Sequence, residues 1–160
     1  MKVSAIRRSL KNLPKTLDDT YARILTNIDE DYEQEARRAL LWLAFSERPL
    51  DIDEVAEAAV VNPHSDRPFD PEERLRDSHA VLEILTSLVT VSPIVNASYS
   101  RTWIVRLAHF SVKEYLLSDR IQNGPASKFS ATDVAANEFI AKSCLQYIFH
   151  YDESDSKSTS

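Results

Sequence analysis

The stretch RLAHFSVKEYLL, residues 106–117, decides how this chain folds. To its left, Thr102-Trp103-Ile104-Val105-Arg106-Leu107 has the β-branched and aromatic composition of a strand. To its right, Ser111-Val112-Lys113-Glu114 has capping-box spacing, with Phe110 and Tyr115 at the staple positions, so a helix is expected to begin at Ser111. His109 falls in the joint. It shares strand parity with Trp103, Val105 and Leu107, which would turn it into the core to bond a backbone group. A histidine can also donate a hydrogen bond to a phosphate and change charge near neutrality. The residues alone leave both readings open.

Working outward, Leu88-Val89-Thr90-Val91-Ser92 is a second strand-like run. The polar connection Asn96 to Arg101 makes the pair a hairpin with a long tip. The segments before it read as helices. Thr16-Leu17-Asp18-Asp19 follows Pro14 as a cap, and Leu17, Tyr21, Ile24, Leu25 and Ile28 then share one helical face. A second helix, from about Asp31 to Phe45, ends in LLWLAF, apolar nearly all round, which marks it as central and buried. Asp51 and Glu54 form a capping box with Leu50 and Val55 as its staple, opening a short helix to about Val60. After a loop over residues 61–69, Asp70-Pro71-Glu72-Glu73 reads as the start of a helix carrying Leu75, Val81, Leu82, Leu85 and Leu88. A last helix is expected from Ser130, with Phe129 and Val134 as staple, to about Tyr147. The polar end DESDSKSTS reads as disordered. Residues 1–13 read as the end of a preceding helical segment, 14–150 as one domain and 151–160 as a tail.

Helices followed by a hairpin and further helices give a mainly α fold with a small β-hairpin, the layout of a winged helix. A lone hairpin is marginal in water and needs helices to pack on.

Composition removes many functions. The chain of 160 residues holds a single glycine, Gly124, where average usage would give roughly ten. A GxxxxGK(S/T) phosphate loop, a GxGxxG turn and a GxSxG nucleophile elbow each need at least two. One cysteine, Cys144, forms no internal disulfide, and the start MKVSAIRRSLKNLPK is no signal peptide, so a reducing, cytoplasmic setting is expected. No apolar run approaches the length of a membrane span. His64, His79, His109 and His150 show no metal-ligand spacing, and no carboxylate pair is set apart for acid–base work. Trp42 and Trp103 read as core anchors, Tyr21, Tyr115 and Tyr147 as packing, and Cys144, near Ile140, Leu145 and Ile148, as a small buried hydrophobe. Winged helices often bind DNA. Here the net charge is −6, and the expected groove-reading helix over residues 70–88 carries five acidic residues against Arg74 and Arg76, with only Arg101 and Arg106 in the wing. That balance repels phosphates.

Three segments in order, LPKTLDDTYARILTNI, ALLWLAFSERPLDIDEVAEAA and LVTVSP…VRLAHFSVKEYLLS, resemble the winged-helix domain that follows the NACHT nucleotide-binding module in fungal NLR-like proteins. That domain is often labelled the GPI inositol-deacylase winged-helix domain. The resemblance spans about Leu10 to Phe149. It implies a regulatory domain without catalysis of its own, packed on an upstream nucleotide-binding domain and followed by ankyrin or similar repeats, which helps hold the closed, ADP-bound state. It implies no cofactor within this chain, since ADP or ATP would sit on the upstream NTPase domain. In related receptors a histidine after the last wing strand, in a Met-His-Asp motif, contacts the nucleotide phosphate. By position His109 resembles it, with Ala108 and Phe110 where that motif has Met and Asp. The other readings are a stand-alone protein-interaction module and, behind it, a DNA-binding winged helix.

Overall fold

The computed structural model of the chain describes residues 17–65, 70, 73–95 and 101–158. The expectations for residues 1–13, for the caps at Thr16, Pro71 and Glu72, and for the hairpin tip 96–100 lie outside the described residues.

The first helix, α1, covers residues 17–26. It turns Tyr21 and Leu25 into the core, while Leu17 stays at the surface. Thr26 Oγ1 donates to the Ala22 carbonyl at 2.9 Å, a local bond that competes with continuing the helix. Asp29 then caps a single 3-10 turn, Glu30–Tyr32, by accepting from Asp31 N at 3.1 Å. Helix α2 is therefore Glu33–Phe45, two residues shorter than its sequence pattern suggests. It is the central helix, burying Ala36, Ala39, Leu40, Leu41 and Ala44.

The LDIDEV segment folds as its pattern requires. Asp51 accepts from Glu54 N at 2.8 Å, Glu54 Oε2 accepts from Asp51 N at 2.9 Å, and α3, Ile52–Val60, follows. Leu50 and Val55 are both buried, as the two ends of a staple must be. Arg38 of α2 donates to the Ala59 carbonyl at 2.7 Å, satisfying an acceptor that the end of α3 leaves without a helical partner. Burial first holds the Arg38 pKa below the usual range, against the pull of Glu35.

Leu50–Asp51 is also a strand, β1, which the sequence reading missed. It pairs with β3 (Arg101–Leu107) through Leu50↔Val105 and Asp51↔Ile104. Strand β2, Val89–Val95, pairs with the other side of β3, giving an antiparallel sheet in the order β1-β3-β2. Pro93 lies in the edge strand β2, where a missing N–H costs no ladder bond. Val105 is buried, but Trp103 is 38% exposed and is no core anchor. It stands two residues, about 7 Å along the strand, nearer the tip, past the helices that cover Val105.

Among the described residues 73–79 the α-helix expected from Asp70 is absent. Helix α4 is only Ala80–Leu85, followed by a 3-10 turn, Thr86–Leu88. Leu75 is the sole apolar side chain among residues 73–79, so no stripe exists there to hold a helix on the core. Asp77 competes as well, accepting from His79 N at 2.9 Å in a local turn. Val81, Leu85 and Leu88 are fully buried.

After the sheet come α5 (Phe110–Leu116), α6 (Asp119–Gln122), a 3-10 turn (Ser127–Phe129) and α7 (Asp133–Ser158). Helix α6 carries Ile121 into the core. Phe129 is buried and Val134 is 79% exposed, so they form no staple, and Thr132 caps α7 by accepting from Ala135 N. The helix does not stop near Tyr147, and the segment expected to be a disordered tail is helical through Ser158. Ala136, Phe139 and Ser143 make its inward stripe, which leaves Cys144 exposed rather than buried. One residue further around a helix is a turn of 100°, and that rotation carries the thiol to the surface. The whole is mostly helical with a small three-stranded sheet, as the winged-helix layout requires.

Candidate functional site

The joint between β3 and α5 places His109 at the helix N-cap with extended backbone, φ −151° and ψ 150°. The helix begins at Phe110, one residue before the expected start at Ser111, and Phe110 is 68% exposed, so no staple forms with Tyr115. The strand sets this. Ala108 N donates to Leu88 O at 2.8 Å, holding the chain on the sheet until the residue before His109. The first free turn then takes His109 as its cap.

His109 is on the surface, so the core reading falls. Its Nδ1 accepts from Ser111 N at 3.2 Å and lies 2.7 Å from Ser111 Oγ. Ser111 Oγ is in turn 2.7 Å from the Tyr21 hydroxyl. Because Nδ1 accepts from a backbone amide, we assign the ring proton of neutral His109 to Nε2. The consistent direction of the chain is Tyr21 Oη–H to Ser111 Oγ, and Ser111 Oγ–H to Nδ1. In that tautomer the remaining ring nitrogen, Nε2–H, is a hydrogen-bond donor.

Tyr21 anchors the chain from the buried side. Its ring packs at 5.8 Å and 42° to that of Tyr115, which is 3% exposed. Burial first, then the carboxylates of Asp18 and Asp19, raises the Tyr115 phenol above its ordinary value and keeps it protonated. One hydrogen-bonded line thus runs from α1 through α5 to a surface imidazole. Ser111 and Tyr21 were not singled out as site residues in the sequence. The only local signal was a hydroxyl two residues after a histidine.

The other histidines are scattered. His79 lies against Asp77, with Nδ1 3.2 Å from Oδ1, and His64 faces the Phe139 ring at 6.4 Å. Among the described residues no group of histidine, cysteine and carboxylate side chains is arranged to hold a metal ion. Among them, too, no helix is long and apolar enough to cross a membrane. Tyr147 reaches Glu57 with its hydroxyl at 3.3 Å, so it packs and bonds at once.

Comparison with known proteins agrees with this architecture. The family described as "GPI inositol-deacylase, winged helix domain" matches residues 23–132, more than half of the chain. Among curated proteins, "Azaphilone pigments biosynthesis cluster protein L" of Monascus ruber is 40% identical over 139 residues. That alignment covers 87% of this chain and 29% of the relative, so the chain spans less than a third of the relative's length. No solved structure matches the chain.

Proposed function

The chain belongs to the GPI inositol-deacylase winged-helix domain family, and on that premise we propose that it is the non-catalytic coupling domain of a NACHT-type signal-transduction NTPase. In this reading it packs against a nucleotide-binding domain in the same polypeptide and stabilises the closed, ADP-bound state in the cytoplasm, with repeats following it. The observation that carries the proposal is the surface imidazole of His109, tied through Nδ1 to Ser111 and from there to Tyr21, an arrangement that leaves Nε2–H as the ring's free donor in the tautomer assigned above. A phosphate oxygen is the acceptor such a donor suits. With one glycine, this chain supplies that donor but no phosphate loop, so the nucleotide itself belongs to the neighbouring domain.

A switch needs only differential contact. A domain that touches the diphosphate in the closed state and not in the open one shifts the balance toward closed. The Tyr21–Ser111–His109 line removes the rotational and tautomeric freedom that would weaken one hydrogen bond. In the longer protein, His109→Asn keeps an N-cap side chain and removes Nε2–H. The expected result is faster ADP release and higher basal signalling with unchanged folding of this domain. Unchanged ADP release in a folded His109→Asn protein would sink the sensor reading.

One observation favours a second reading, a protein-interaction module. Val134, Leu145, Ile148 and Phe149 of α7 are each more than half exposed, an apolar row on the face opposite the inward stripe of Ala136, Phe139 and Ser143.

A further inference from the structure

An open groove of about 800 Å³ lies between the C-terminal end of α1, with the 3-10 turn after it, and α4, with the segment before it. Ile24, Ile28, Leu75, Ala80 and Ile84 make its apolar wall. None of the residues that line it is buried, so each keeps surface for an incoming side chain. Tyr32, also in the wall, is 47% exposed. The rim is acidic. Asp29, Glu73, Asp77 and Glu83 stand against Arg74 and Arg76, and Arg74 is already held by Glu57 at 2.9 Å. Among the described residues no lysine or arginine pairs with Asp29, Glu73 or Glu83. An apolar groove edged by unmatched carboxylates suits a basic, amphipathic helix.

The chain carries such a segment of its own. Residues 1–16, MKVSAIRRSLKNLPKT, hold Lys2, Arg7, Arg8, Lys11 and Lys15 and no acidic residue, in a chain whose net charge is −6. Val3, Ile6, Leu10 and Leu13 have helical spacing, which gathers them within an arc of about 80°. Lys2 falls at one edge of that stripe, with Arg7 and Lys11 at the other. Pro14 disfavours helix at Leu13, so the segment ends there and the chain can turn before α1. A helix over residues 3–13 and α1 over 17–26 are each about 15 Å long. Run back antiparallel, the first brings Val3 and Ile6 level with Ile24 and Ile28 of the second, where the groove lies. We propose that residues 3–13 form an amphipathic helix that folds back along α1 and fills this groove, its apolar stripe on the apolar wall and its basic residues against the acidic rim.

A nitroxide label tests this in the full 160-residue chain. Cys144 is exposed and is first replaced by Cys144→Ser. Ser4→Cys then carries the label on the side of the segment away from its apolar stripe. With the chain enriched in nitrogen-15, the amide signals of Asn27, Ile28 and Ile84 are expected to broaden far more than those of Ala136 and Phe139 in α7. Ile6→Asp with Leu10→Asp should abolish that broadening and leave the signals of the sheet in place. Asp77→Lys with Glu83→Lys should weaken it, because both would face a basic helix. A mixture of spin-labelled chain without nitrogen-15 and nitrogen-15 chain without the spin label should show none. No broadening at the groove, broadening spread evenly over the surface, or broadening that survives either pair of substitutions unchanged would each overturn the proposal. Broadening in the mixture would overturn it too, by giving the groove to a second copy of the chain.

Discussion

His109 uses its two ring nitrogens differently. Nδ1 caps α5 and binds Ser111, while Nε2 takes no part in those bonds. His109→Ala removes both and should cost about 1 kcal/mol of stability, the usual loss when a capping side chain is deleted. His109→Asn should restore most of that loss, because asparagine is a strong N-cap. Urea denaturation of the three chains checks this, and a His109→Asn variant as weak as His109→Ala would mean the ring packs rather than caps. A second residue-scale prediction concerns Thr86, which has φ 47° and ψ −128°. A β-branched residue at positive φ is strained, by about 1–3 kcal/mol. Thr86→Gly relieves that strain but gives the unfolded chain more freedom, so a net gain of about 1 kcal/mol is expected. A fall in melting temperature on this substitution would contradict the strain.

At the scale of elements, the start of α3 makes stability depend on pH. Arg48's hydrogen bond is the first cause that holds the Glu54 carboxyl below the ordinary glutamate range. Burial opposes it, and the Asp51 backbone N–H adds to it. A carboxyl whose folded pKa is depressed contributes fully above its unfolded pKa, and the contribution is lost as pH falls through the folded value. Glu54→Gln should therefore flatten the acid limb. The gap in urea midpoint between wild type and variant should be larger at neutral pH than near about pH 4, where unperturbed glutamates titrate. An equal gap at both would remove Glu54 from the acid response. The elements also show what could be read ahead of the structure. The α3 capping box was legible because a cap is written three residues apart, in Asp51 and Glu54 themselves. The hairpin was legible from its β-branched runs. Strand β1 was not, because Leu50 and Asp51 become a strand only by pairing with Val105 and Ile104, far away in the chain. The short α4 was misread because the missing apolar stripe over 73–79 decides against a long helix there, whatever the residues before it suggest. The site was half legible. His109 could be picked out from its place after a strand, but the Tyr21–Ser111 bond joins residues 90 apart and no local pattern announces it.

At the scale of the whole molecule, the distribution of charge argues against a role that the winged-helix fold invites. A groove-reading helix would have to be α4 with the segment before it. Helix α4 has six residues with Glu83 as its only charge. Ahead of it, Arg74 is held by Glu57, so its charge is already matched. In the wing, Arg106 donates to Ser92 Oγ at 3.1 Å. The chain as a whole carries −6. Affinity for duplex DNA comes mainly from cations that replace condensed counterions, and it falls steeply with salt when several phosphates are contacted. A domain with this surface has few cations to offer and a net field that opposes approach. Fluorescence anisotropy with a labelled duplex should therefore show no binding at micromolar protein in physiological salt, and no salt-dependent binding as ionic strength is lowered. Binding that weakens linearly with the logarithm of salt concentration would contradict the charge argument and move the fold's function toward nucleic acid.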